Sequence, residues 1–320
     1  MMNPSFSKKA KSKLFNKKAI ALPFNWIFAI IVGAVIIVLA IYGTTRFIET
    51  GEQQLYTESA AKLISLLDPF ETGLASGKSS QINFQKPTRT YYECDEYSNR
   101  PFGRQTIAFA EQTLGDKFGD KGGDITIKNK YVFAENILEG KNLYVFSKPF
   151  FAGYKVADMI IISSENYCFY QAPDEIQKEI ELLNLENIKF TDDLKNCTDE
   201  IKVCWGFGDC EIRVTENRVV KFNKELYYAG DLIYAAIFSS PEIYECNLKR
   251  LKNKFNELAL IYQNKANLMQ KYNCGLQIII NLENIRNKEI QSSKNVKEWI
   301  ISGETLNKIN QGAKNGCNLW

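Results

Sequence analysis

Histidine is absent from this 320-residue sequence. That excludes Ser-His-Asp and Cys-His catalysis, and zinc or haem held by histidine. The eight cysteines contain no Cys-x-x-Cys pair, so thioredoxin-type redox motifs and zinc knuckles are missing as well. Neither common glycine-rich phosphate loop occurs. No acidic residue precedes Glu49. No catalytic, cofactor-binding or metal-ligating set is identified, and the chain reads away from an enzyme.

What is present is a chain of globular composition, 45% hydrophobic and 24% charged. Its net charge of +3 comes from a short tail. Residues 1–22 hold Lys8, Lys9, Lys11, Lys13, Lys17 and Lys18 and no acid, leaving 34 basic against 37 acidic residues in the rest. The basic isoelectric point therefore implies no nucleic-acid surface.

From Ala19 to Thr45 there are 27 residues without a charge. A helix needs about 20 apolar residues to cross a hydrocarbon core. Residues 23–43 are expected to span a bilayer, with Trp26 and Tyr42 at its two interfaces. The apolar run is longer than the core of a cleaved signal and ends without a small-x-small site, which favours an uncleaved signal-anchor. Six lysines precede it, while Arg46, Glu49 and Glu52 follow. The positive-inside rule then places the N-terminus in the cytoplasm and residues 46–320 outside, at the cell membrane. All eight cysteines lie after the span, where an oxidising compartment permits disulfides.

The expected architecture is α+β. It comprises a cytoplasmic basic tail (1–22), a transmembrane helix (23–43), a helical stalk and linker (44–80), an antiparallel-sheet exterior domain (81–240) and a helical C-terminal region (241–320). Tyr56, Ala60, Leu63, Ile64 and Leu67 continue a helix to Asp68-Pro69, and 71–80 reads as linker. Strands are expected at runs such as Thr106 to Phe109 and Met159 to Ile162, a helix at 173–188, and further strands at 200–205, 210–215, 217–222 and 226–237. Ser240-Pro241-Glu242 opens a helix of about 30 residues with the stripe Leu248, Leu251, Phe255 and Leu258, ending at Cys274-Gly275. Val296, Trp299, Ile300 and Leu306 are its expected cover within the same chain. The run Leu276 to Leu282 fits a strand or a helix equally.

Cys204 and Cys210 flank a glycine-bearing turn between two strand-like runs, and a disulfide across the mouth of a hairpin is expected there. Cys94, Cys168, Cys197, Cys246, Cys274 and Cys317 receive no assigned partner. Asp116, Asp120 and Asp124 lie four apart, whereas calcium loops place ligands at alternate positions, so a solvated turn is expected. Lys249, Arg250, Lys252 and Lys254 fall mostly off the apolar stripe and are expected on a solvated face. Phe146, Phe150 and Phe151 around Pro149 read as core or loop packing.

Lys17-Lys18, the long apolar helix and its amphipathic extension resemble the layout of type IV pilin-like proteins. No acid falls inside the apolar stretch, as pilin-type signals have. The passages Phe24 to Ile30, Asn166-Tyr167-Cys168-Phe169 and Tyr244-Glu245-Cys246 resemble uncharacterised single-span membrane proteins of small-genome archaea. That resemblance implies a single-span anchor and no specific activity. The function expected is a membrane-anchored extracytoplasmic protein doing structural or interaction work in the cell envelope. Its partners are the bilayer and other envelope proteins, and no cofactor is expected. The alternative is a membrane-anchored enzyme using carboxylate or Ser-Lys chemistry, since paired carboxylates need not be close in sequence.

Overall fold

Helix α1 runs from Phe24 to Leu66. The structure, a computed structural model, describes residues 24–71, 79–96, 102–113, 115, 117–270, 276–313 and 317–320, without the side chains of 47–50, 52, 53 and 276. The basic tail, residues 72–78 of the expected linker, Asp116 and the expected helix stop at Cys274-Gly275 lie outside the described residues. Ser79 and Ser80, also expected in the linker, instead begin the first strand.

The chain divides into two units, 1–51 and 52–320. In the first, the 23 residues Phe24–Arg46 form a helical stretch long and apolar enough to cross a membrane, and its apolar window is 0% buried. Trp26 and Tyr42 are exposed near its ends.

In the second unit the helix becomes amphipathic. Tyr56, Ala60, Leu63 and Leu67 recur at helical spacing and are buried. They join Phe109, Val145, Ile160 and Ile162 in one core, so this part of the expected stalk is packed into the domain. The loop over 117–124 lies against it. A Cβ at Gly122 would come 2.8 Å from that of Tyr56, so only glycine permits the approach. The short α2 (Asp68–Glu71) places Asp68 and Glu71 on the ammonium of Lys130, at 2.7 and 2.9 Å.

The first sheet contains β1 (Ser79–Asp95), β2 (Arg104–Glu111), β3 (Ile125–Ile127), β4 (Tyr131–Phe133), β5 (Ile137–Phe151) and β6 (Lys155–Ser163). Its order is β3-β2-β1-β5-β6-β4, antiparallel throughout except that β4 runs parallel to β6. Strand β6 shows why this sheet is central. Ile160 and Ile162 enter the core beside α1, while Met159 and Ile161 enter the larger core on the other face. Alternate side chains point to opposite faces, so a strand covered on both sides is apolar at consecutive positions.

The second sheet contains β7 (Tyr167–Tyr170), β8 (Ile188–Thr191), β9 (Ile201–Trp205), β10 (Ile212–Val214), β11 (Arg218–Lys221) and β12 (Lys224–Tyr227), in the order β12-β11-β10-β9-β7-β8. Strands β8, β7, β9 and β10 are parallel, and β11 and β12 are antiparallel to their neighbours. The expected antiparallel exterior is thus corrected: both sheets are mixed. The physical reason is α3 (Asp174–Leu183), which supplies the crossover that parallel β7 and β8 require. It stops at Leu183 rather than 188, because Asn184 takes the left-handed conformation at φ 49°.

Residues 226–237, expected as one strand, instead hold the end of β12 and the start of α4 (Leu232–Phe238). All seven α4 residues are buried. A short continuous apolar run carries no periodicity to separate helix from strand. Helix α5 (Pro241–Met269) starts where its cap places it, with Ser240 Oγ accepting from the Ile243 N–H at 3.3 Å. Leu248, Leu251 and Phe255 are buried and Leu258 partly so. Their cover lies within the chain: β1, β4 and β6 contact α5, and α6 (Leu276–Asn287) and α7 (Val296–Gln311) bring Leu282, Trp299 and Leu306 to the same core. The run Leu276 to Leu282 is helical.

The solvated basic face is corrected too. Arg250 and Lys252 are 2% and 4% exposed, because α5 is covered on more than its apolar stripe.

Candidate functional site

Lysine 221 closes β11, whose alternation buries Val219 and Lys221 on one face. Its ammonium is out of water, 2.8 Å from Glu135 Oε1 and 2.9 Å from the carbonyl of Ile237 in the last turn of α4. A cation at a helix C-terminus is favoured by the aligned carbonyls. Burial lowers the Lys221 pKa, opposed by the Glu135 carboxylate.

This lysine forms one wall of a cleft of about 590 Å³, within the size range of small-ligand sites. The cleft lies where β5 begins, where β6 turns into β7, at β9 and β10, at the β11–β12 hairpin and at the start of α5. Glu135, Glu165, Glu211 and Glu242 line it together with Lys221 and Lys224. Glu242 is paired with Lys224, and that hydrogen bond is the main reason its carboxyl is held below the usual range. Glu211 Oε2 accepts the Lys202 N–H at 2.9 Å. Glu165 is exposed at the rim and its carboxylate meets no donor among the described residues. Desolvation raises its pKa, and the Glu139 and Glu135 carboxylates raise it further.

Ser240 also lines the cleft. Its hydroxyl caps α5 and is hydrogen-bonded to Asn136 Oδ1. Both it and Lys221 are thus occupied by structural partners, which leaves no activated hydroxyl for Ser-Lys chemistry here. Tyr167 on β7 is 1% exposed, and its ring packs edge-on against Phe238. Its hydroxyl makes no hydrogen bond among the described residues. Burial pushes its phenol pKa well up, and the Glu135 and Glu165 carboxylates add to this.

The residues singled out from the sequence lie as follows. Cys204 and Cys210 are bonded, with Cα atoms 6.0 Å apart. They close the loop between β9 and β10, which are parallel rather than the arms of a hairpin. Cys94 is bonded to Cys246 and Cys168 to Cys197. Cys317 is also disulfide-bonded, and Cys274 lies outside the described residues. Asp120 and Asp124 are exposed, and Asp124 pairs with Lys121 at 2.8 Å. No group of metal-binding side chains occurs among the described residues. Phe146 and Phe150 are core residues, whereas Phe151 is exposed.

The cleft itself was not anticipated from the sequence. Its ionisable groups are spread from Glu135 to Glu242, so no local motif joins them. One signal was legible: a lysine at the inward position of Val219-Val220-Lys221 breaks the apolar alternation.

Comparison with protein-family models, curated proteins and solved structures gives no match.

Proposed function

We propose that this chain is a single-span membrane protein that holds its α+β unit outside the cytoplasm, where the unit works as an interaction component of the cell envelope. One observation carries the reading. The 23 residues of Phe24–Arg46 are apolar with none of their apolar window buried, which in water would leave an unsupportable hydrophobic surface. A bilayer covers it at residues 23–43. The six lysines before it and the cysteines beyond it support an orientation with residues 46–320 outside. Recognition is favoured over catalysis because the ion pairs and caps of the cleft already occupy its lysines and its serine. The partner class is protein or small ligand, with no role for nucleic acid.

Topology tests the proposal. Epitopes placed at residue 3 and after Trp320 are probed with protease added to intact cells. The C-terminal epitope is expected to be digested and the N-terminal one spared. The reverse pattern, or release of both epitopes in the soluble fraction, overturns the reading.

A further inference from the structure

The charges of the cleft do not cancel. Glu135 is matched by Lys221 and Glu242 by Lys224, while Glu211 and Glu165 have no cationic partner among the described residues. Glu211 is partly satisfied by a backbone N–H. Glu165 stands unpaired beside other carboxylates, an arrangement a cation would relieve.

A second feature is independent of the carboxylates. The hydroxyl of Tyr167 is in the cleft wall on a residue 1% exposed, without a hydrogen-bond partner among the described residues. It is not one of the fully enclosed polar atoms left without a partner, so it opens onto the cleft, where a ligand atom can take the place of water. The remaining wall is apolar, from Ile137, Ile201, Ile212 and Pro241. At the rim stands Phe222, 71% exposed at φ 50° in the two-residue turn with Asn223 at φ 58°. Positive φ at both positions is what a two-residue hairpin turn requires, and it holds the Phe222 ring out at the cleft entrance.

We infer that this cleft binds a primary ammonium or guanidinium group carried on an apolar stem, with Glu165 and Tyr167 taking the cation and the isoleucine wall and Phe222 taking the stem. A charged carboxylate acceptor and a hydroxyl oxygen both suit an N–H donor. The Phe222 ring, with the Lys221 ammonium 5.8 Å from its centroid, adds apolar surface at the entrance. The same chemistry is supplied by a free alkylamine or by a lysine or arginine side chain of a partner polypeptide. This deepens the interaction reading by naming what the domain recognises, and it does not depend on which side of the membrane the domain lies.

Calorimetry on the purified full chain in detergent tests it. The probes are pentylamine, its neutral counterpart pentanol, a short lysine-containing peptide and the same peptide with norleucine in place of lysine. Binding of pentylamine but not pentanol supports a free amine as ligand. Binding of the lysine peptide alone, and not its norleucine form, supports a polypeptide source. In either case Glu165→Gln, at an exposed position that leaves folding intact, is expected to weaken binding at least about tenfold, and Tyr167→Phe about threefold or more. Failure of both cationic probes at millimolar concentration overturns the inference. Equal binding of charged and neutral probes, or unchanged affinity in Glu165→Gln, overturns it as well. A topology result against the membrane reading would leave these binding outcomes intact.

Discussion

Arginine 250 has no carboxylate among its hydrogen-bond partners in the described residues, although it is one of the largest side chains fully inside the protein. Its guanidinium donates to the Phe102 and Lys130 carbonyls at 2.9 and 3.2 Å. It also donates to Gln105 Oε1 at 3.1 Å and Asn247 Oδ1 at 2.6 Å, and lies over the Tyr131 ring at 4.8 Å. Burial lowers its pKa to about 10, so it stays charged at neutral pH. The planar fork reaches four acceptors on three segments, which a lysine ammonium cannot do. Arg250→Met is expected to strip this donor from the Phe102 and Lys130 carbonyls and Asn247 Oδ1, Gln105 Oε1 keeping the Val132 N–H, and to cost about 3 kcal/mol or more in chemical denaturation of the full chain. Arg250→Lys should recover only part. A methionine variant within about 0.5 kcal/mol of the parent would show that the network adds no stability. Lys252 is a parallel case, its ammonium on the carbonyls of Ile285 and Arg286 at the end of α6, with burial lowering its pKa to about 8. Neither role was legible from sequence. The stripe of α5 shows which face is apolar, but not how far the cover wraps beyond it.

Helix α7 reaches the core through a contact that has no room for a side chain. A Cβ at Gly303 would lie 2.4 Å from the carbonyl carbon of Ala152 and 2.6 Å from the amide nitrogen of Gly153. The helix therefore presses its backbone on the turn between β5 and β6, seating Trp299 against Phe150 and Phe255 at ring distances of 5.2 and 5.6 Å. Gly303→Ala improves helix propensity, by about 1 kcal/mol, yet is expected to destabilise, because backbone cannot yield as a flexible side chain does. The expected loss is about 2 kcal/mol, with faster amide exchange throughout α7, while Ser302→Ala beside it stays within about 0.5 kcal/mol. A more stable Gly303→Ala variant would refute the close contact. The contrast between α5 and α4 shows what an element reveals of itself. Ser240, Pro241 and the four-three spacing of leucines announce α5 locally. Leu232 to Phe238 is apolar at every position, so only the surroundings decide that it is a helix.

At the scale of the molecule, the disulfides tie segments that strands and helices leave far apart. Cys94–Cys246 joins β1 to α5 across 152 residues, and Cys168–Cys197 closes 29. In the loop-closure model these stabilise by about 5 and about 3.5 kcal/mol, while the six-residue separation of Cys204–Cys210 contributes least. Paired alanine substitutions are expected to lower the denaturation midpoint in that order, with the Cys94–Cys246 loss largest. The opposite order would mean that chain entropy is not what these bonds act on.

The membrane-length helix, the amphipathic turns after it, the long capped helix and most strands of the first sheet could be read directly from residues 24–269. Each depends on side chains a few positions apart, and hydrophobic spacing and caps act at that range. The parallel order of β8, β7, β9 and β10, the burial of Arg250 and the cleft around Lys221 belong to the tertiary structure alone. Glu135, Glu165, Lys221 and Glu242 meet because two sheets and α4 close around them. Charges separated by up to 107 residues acquire partners, or lack them, only once the chain has folded.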